Sequence, residues 1–473
     1  MRWPTGPFWS QPSALELLKG TPINCLILPW GAAAASRPSA PLISVARRGA
    51  VAVVGLLEPK ADVASLVSSA RAAGLSAVAG APPLSAGDLP VIAWGSRAAV
   101  GRASNANVLV AADSVWPVIK LSSSGALDSA DAGPTGAPWI DANGWVVRLL
   151  RAMAPDKDVW IAVEPPNGAE FASADPYLLT VAEAATYGAR SVVRLGEEFV
   201  AALANGDAAA TTEWKRLCDA LAFFEKHQEW RQYEPAGVLG VLSDFAGENE
   251  FVATEVLNLL TRSQVPFRVL TRDQADSTSL RGLKAVVCPD VTLPSPPLQK
   301  VLQAFALAGG LLICRRQCAA LGGGSQPSPR EHPRFEERTL GRGRVAVSKE
   351  DGPDPFLLAA DSVILLSRRN DPVRLANAGS IISYFSGSAD GKRGLLVLLN
   401  YARARPITLS GGRARATNAM PAISARVMRP YRAARVWTLE AAAPSAVPIE
   451  PRGDAVDLQV PSFVTCAAIE LEA

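Results

Sequence analysis

The sequence predicts an α/β multidomain chain: a degenerate (β/α)8-like barrel, a flavodoxin-like doubly wound domain, and a C-terminal antiparallel β-sandwich. Three observations carry this. Over residues 1–233, short continuous apolar runs alternate with small-residue helical stretches, as expected of strands buried on both faces of a parallel sheet. Over residues 234–320 the β-then-α succession is compact and regular. Over residues 334–473 the runs become short and alternating, after a Gly-, Ser- and Pro-rich stretch at 321–333 that reads as a linker. A chain of 473 residues has room for two to four such domains.

In the first part, strands are expected at 23–29, 50–57, 75–79, 90–94 and 107–112, with a further short one at 118–121. Asp62 is placed to cap a helix over 62–73, and Gly74 to end it. A helix over 143–154 leads to a strong strand at 158–164, stopped by Pro165 and Pro166. A helix over 176–187, ended by Gly188, leads to a strand at 191–195. A long helical stretch over 208–230 then carries Trp214, Phe223, Phe224 and Trp230 as a core stripe. About seven strands in this span is tight for a full barrel, so one or two helices are expected to be short or missing. In the middle part, strands at 237–242, 266–270, 283–288 and 310–314 flank helices over 249–262 and 298–308. In the last part, 394–399, 436–439 and 462–471 are the clearest strands.

Composition excludes several classes. Nearly half the residues are apolar (49%), net charge is +3, and the basic clusters, such as Arg47-Arg48 and Arg315-Arg316, are short. A nucleic-acid partner is therefore not expected. No apolar run reaches the ~18 residues of a membrane span, so no membrane partner is expected. The first residues, Met-Arg-Trp-Pro-Thr-Gly-Pro, lack the apolar core of a signal peptide. That leaves a cytoplasmic protein, or an exported one whose leader lies outside this sequence. The six cysteines are scattered, with Cys314 and Cys318 the only near pair, and there are two histidines. Neither a zinc site nor a disulfide framework is indicated, and no motif calls for a cofactor.

The middle part resembles a known family. Gly237-Val-Leu-Gly-Val-Leu-Ser-Asp244, Glu255-Val-Leu-Asn258, Leu283-Lys-Ala-Val-Val-Cys-Pro-Asp290 and Phe305-Ala-Leu-Ala-Gly-Gly-Leu-Leu-Ile313 are similar to the trimerisation domain of β-galactosidase-type glycoside hydrolases. That domain has a class I amidotransferase-like fold, so the resemblance implies a homo-oligomer and a carbohydrate ligand. Val159-Trp-Ile-Ala-Val-Glu-Pro-Pro-Asn-Gly168 is similar to the strand-seven segment of the same clan, where a Glu at the strand end is the nucleophile. The clan's Asn-Glu pair after strand four has no counterpart: the corresponding stretch, Pro90-Val-Ile-Ala-Trp-Gly-Ser-Arg97, holds no carboxylate. Amidotransferase chemistry needs a nucleophilic Cys on a glycine-flanked turn with a His partner, and Cys314 has neither.

Barrel active sites sit at the C-terminal ends of the strands. Glu164, Asp113 and Glu58 fall there and are the candidate catalytic carboxylates, because glycoside hydrolysis needs two carboxyls across one bond. Glu164 is the expected nucleophile. Its alternative is a surface carboxylate at a strand terminus, and Asp113 reads equally as the cap of a short helix. The loop from Gly133 to Trp145 offers Trp139 and Trp145 for stacking on a sugar face, and Asp141 and Asn143 for its hydroxyls. The alternative there is a helix start, capped by Asp141 or Asn143 with Trp145 packed inward. Trp94 and Trp116 follow strands and complete the candidate sugar-binding set. Two functions are therefore expected: a two-carboxylate glycoside hydrolase acting on a glycan or galactoside-type sugar, or a non-catalytic carbohydrate-binding or assembly protein on the same scaffold.

Overall fold

The structure is a computed structural model and describes residues 1–33, 38–59, 62–120, 139–168, 171–328, 330–352, 354–376, 378–404 and 423–473. The chain forms two compact units. The first is built mainly of Met1–Val118 and Asp141–Gln232, and the second mainly of Tyr233–Ala402 and residues 423–473.

In the first unit seven parallel strands lie side by side in chain order: Cys25–Trp30, Ala52–Leu57, Ala77–Gly80, Val91–Gly95, Val108–Ser114, Asp158–Val163 and Arg190–Val192. The two outer strands are joined by residues 1–3. Ile27 N donates to Met1 O at 2.8 Å and Trp3 N to Ile27 O at 3.0 Å on one side; Arg2 N donates to Val193 O at 2.8 Å on the other. These three residues are the eighth stave of a degenerate (β/α)8 barrel. Counted first in the ring, they make Ala77–Gly80 the fourth stave and Asp158–Val163 the seventh. The Pro90–Arg97 stretch, expected at strand four, therefore surrounds the fifth. The fourth stave leads instead into Gly80-Ala81-Pro82-Pro83, which also lacks a carboxylate.

Alternate side chains of the staves point inward and fill the ring. Ile27, Val54, Ala79, Ile92, Val110 and Ala162 are all buried, and Trp94 and Trp160 pack against them. Helices cover the outside where expected, with two gaps: no helix stands between Gly80 and Val91, and only Arg97–Val100 follows the fifth stave. The helix Val63–Ala72 starts where Asp62 accepts Ala64 N at 3.2 Å. It gives way at Gly74, whose φ of 72° a β-carbon would resist. Val118–Lys120 pairs with Trp139–Asp141 in a separate two-stranded ribbon rather than in the ring.

In the second unit, Leu239–Ser243, Phe267–Thr271, Ala285–Cys288, Leu311–Cys314 and Gly343–Ser348 form a parallel sheet in the spatial order second, first, third, fourth, fifth. This is the flavodoxin-like order. Phe335–Leu340 adds antiparallel to Gly343–Ser348, and Gln326–Pro327 adds beyond it. The sheet thus runs past residue 334, where the sandwich was expected to begin. Val345 and Val347 share one buried core with Leu312 and Cys314, and that burial holds the strand in this sheet. At the strand ends, fully buried Asp290 accepts Asp244 N at 3.2 Å and the Ser243 hydroxyl, and pairs with Arg272 at 2.7 Å. Burial pushes its carboxyl up, against the pull of Ser243 and Arg272.

The remaining strands form the expected antiparallel sandwich. One sheet is centred on Ile381–Gly387, Arg393–Asn400, Cys466–Glu472 and Ala433–Thr438, and the other holds Val373–Ala376, Ile423–Val427, Ala455–Val460 and Ile449–Arg452. Phe385, Leu396 and Ile469 of the first sheet pack with Val427, Leu458 and Val460 of the second. All six cysteines are free thiols, and five of them are buried. Burial pushes Cys218 and Cys314 up to about 12.

Candidate functional site

The C-terminal ends of the staves carry two polar clusters. The first surrounds Glu164, just past the seventh stave. Its Oε1 meets Arg2 Nη1 and its Oε2 meets Arg194 Nη1, so each carboxylate oxygen faces its own guanidinium. The sequence places them there directly. Arg2 lies in the closing stave, and Arg194 follows Arg190–Val192 at the inward-facing spacing of two residues. Glu164 keeps half its side-chain surface exposed, so these pairs contribute to stability at the level of exposed ion pairs, about 0–1 kcal/mol each. Burial lowers Arg2, the neighbouring charge of Arg194 lowers it further, and Glu164 pulls it back up. Arg2 and Arg194 also line a cleft of about 440 Å³, walled by Trp3, Phe8 and Trp9 from the N-terminal loop. Trp3 and Trp9 meet edge to face at 5.2 Å, and Trp3 Nε1 donates to Trp9 O at 2.8 Å.

The second cluster joins the fifth and sixth staves. Asp113 accepts Arg97 N at 2.9 Å and Arg97 Nη1 at 2.7 Å. It therefore caps the short helix Arg97–Val100 from a neighbouring strand, a cap made across the barrel rather than along the chain. The same guanidinium lies over the Trp145 ring at 4.9 Å. Glu58 Oε2 accepts Ala32 N at 3.3 Å. Among the described residues, no hydrogen bond or ion pair links Glu164 to Asp113 or Glu58.

The candidate sugar-binding residues divide. Trp94 faces the ring and is half-buried on its core, and Trp145 is half-buried under Arg97. Trp116 packs edge to face on Tyr177 at 5.0 Å. Trp139 and Asp141 lie on the ribbon strand Trp139–Asp141. Asn143 stands at the start of the helix Gly144–Met153. It is buried, donates Nδ2 to Val115 O and to Glu183 Oε2 at 2.9 Å each, and accepts Val115 N at 2.7 Å. Its amide ties the sixth-stave loop to a helix, because burying an amide requires that its hydrogen bonds be made inside.

Arg2, Arg194 and the Trp3–Trp9 loop are not among the residues expected at the site from sequence. A signal was present: the loop is as dense in turn formers and aromatics as the loop from Gly133 to Trp145. Among the described residues, no group of three or more His, Cys, Asp or Glu is arranged to hold a metal, and no helix is long and apolar enough to cross a membrane.

No family model matches the chain, and no curated protein matches it. Solved structures do. α-L-Fucosidase isoenzyme 2 from Paenibacillus thiaminolyticus has a TM-score of 0.60 at 11% identity, over 98% of this chain and 96% of that one. A β-galactosidase from Bacillus circulans sp. alkalophilus has a TM-score of 0.45 at 10% identity, over 92% of this chain and 67% of that one. A rhamnosidase from Novosphingobium sp. PP1Y has a TM-score of 0.45 at 11% identity, over 93% and 38%. The first of these establishes a glycoside hydrolase-type fold along almost the whole chain. At this identity the likeness extends to the fold and not to the chemistry.

Proposed function

We propose that this protein binds carbohydrate at the barrel mouth and does not cleave glycosidic bonds by a two-carboxylate mechanism. The observation that supports this is the state of Glu164, whose two oxygens are each occupied by an arginine. A nucleophile needs an oxygen free to reach the anomeric carbon, and a general acid needs one to carry a proton to the leaving oxygen. The fourth stave, where the resemblance calls for the acid, ends in Gly80-Ala81-Pro82-Pro83. Asp113 is committed to capping Arg97–Val100. What remains is a binding surface on the barrel itself, with Trp94 and Trp145 half-buried beside it. Because the fold matches an α-L-fucosidase over almost the whole chain, an α-L-fucoside is the first ligand to try.

A second reading keeps hydrolysis, with Glu164 as nucleophile, because Glu164 stands at the end of the seventh stave, where the resemblance places that residue. One experiment separates the two. Chromogenic α-L-fucosides, β-galactosides and α-L-rhamnosides are assayed for release, and the parent sugars and their oligosaccharides for binding by calorimetry. The expected result is saturable binding without turnover. Turnover that disappears in Glu164→Gln would overturn the binding reading.

A further inference from the structure

Among the described residues, Glu164 is the only partner of the Arg2 and Arg194 guanidinium groups. A guanidinium carries five N–H donors in a fixed planar fork, and a single carboxylate oxygen uses a minority of them. Two cations on one anion also leave a local excess of one positive charge. Arg2 and Arg194 stay 34% and 40% exposed, so the unused donors reach the cleft, which both residues line. The charge of Arg194 acts unfavourably on that of Arg2, as expected for a cation pair that one shared carboxylate does not fully neutralise. The remaining carboxylate on the cleft, Glu197, is exposed at the first turn of Glu197–Ala204, where the helix end offsets its charge. Half-buried Phe8 adds an aromatic face to the same cleft.

We infer that the Arg2–Arg194 pair receives the anionic group of an acidic sugar, so that the ligand class is a glycan bearing carboxylate or sulfate. Paired guanidinium forks match the planar oxygens of a carboxylate or the oxygens of a sulfate ester, and they bind either through charge-assisted hydrogen bonds. The cleft's aromatic wall accommodates the apolar face of the sugar ring. This inference rests on the proposed carbohydrate-binding function and narrows it.

The test is equilibrium binding by calorimetry of three oligosaccharides of equal length: a polyuronate, a sulfated galactan and the neutral galactan. Each is titrated into wild-type protein, Arg194→Gln, Arg194→Lys and the sandwich-surface control Arg452→Gln, at low and raised salt. Urea melts confirm that each variant is folded. An anionic oligosaccharide should bind about tenfold or more tighter than the neutral one, and the preference should shrink with salt. It should fall to about onefold in Arg194→Gln, stay intermediate in Arg194→Lys, which keeps charge but loses the fork, and persist in Arg452→Gln. The two anionic arms show whether carboxylate or sulfate is preferred. Equal affinity for neutral and anionic chains, or a preference that survives Arg194→Gln, overturns the inference and leaves the binding function standing. No binding of any of the three overturns the inference, while the fucoside, galactoside and rhamnoside titrations decide the binding function separately.

Discussion

Glu183 and Glu164 show how burial decides what a carboxylate does. Glu183 is fully buried and accepts Asn143 N at 2.6 Å, Gly144 N at 3.0 Å and Asn143 Nδ2 at 2.9 Å. It ties the start of the helix Gly144–Met153 to the helix Asp175–Thr186. Gly144 itself allows no substitute, since a β-carbon would come within 2.3 Å of the Tyr187 ring. Removing the Glu183 carboxylate orphans three donors in a place water does not reach. Glu183→Ala should therefore cost about 3 kcal/mol or more in urea-induced unfolding. Glu164 sits at the rim, half exposed, so Glu164→Gln should change stability by less than about 1 kcal/mol. Equal costs for the two substitutions would contradict this division between a buried structural carboxylate and one held only by half-exposed ion pairs.

Among the elements, the first stave has the most effect for its size. Three residues supply the hydrogen bonds that join the Cys25–Trp30 strand to the chain beyond Arg190–Val192. They also deliver Arg2 to the mouth and bury Trp3 beneath the loop that walls the cleft. Trp3 is 3% exposed and bonds through Nε1 to Trp9 O. Trp3→Ala should cost about 3–5 kcal/mol by denaturant titration, from lost packing and the unfilled cavity. It should also weaken glycan binding through disorder of the loop carrying Phe8 and Trp9. A variant of wild-type stability would show that the first stave does not hold the barrel together.

At the scale of the whole molecule, the sequence resemblance of residues 237–313 to trimerisation domains makes self-association an expectation to test. The surface of the doubly wound unit is compatible with it. Phe251 on the helix Glu250–Arg262 is 70% exposed, and Ile364 on the helix Pro355–Leu366, which packs against it, is 63% exposed. Large side chains left this open are a cost to a solitary chain unless a second copy covers them. Light scattering at micromolar concentration should give a mass above that of one chain, and Phe251→Glu should lower it. A monomer mass in the wild type would remove this claim without touching the fold.

The sequence by itself determined the order of architectures, barrel then doubly wound sheet then sandwich. Buried strands announce themselves as apolar runs such as Asp158–Val163 and Leu311–Cys314, and helix ends as residues such as Asp62 and Gly74. It also marked Glu164 as the end of an inner stave. The tertiary structure alone decided the ring's closure, because three residues before Pro4 are too few to carry a periodic signal. It decided that Gly343–Ser348 belongs to the doubly wound sheet, since pairing partners are set by which core a strand fills and not by its own pattern. And it decided the roles of the polar side chains. Asp113 caps a helix that begins 16 residues earlier, Asn143 spends its amide on a Glu 40 residues away, and Glu164 meets an arginine 162 residues back in the chain. These partners share no local signature, because the fold brings them together through staves that are adjacent in the ring and far apart in sequence.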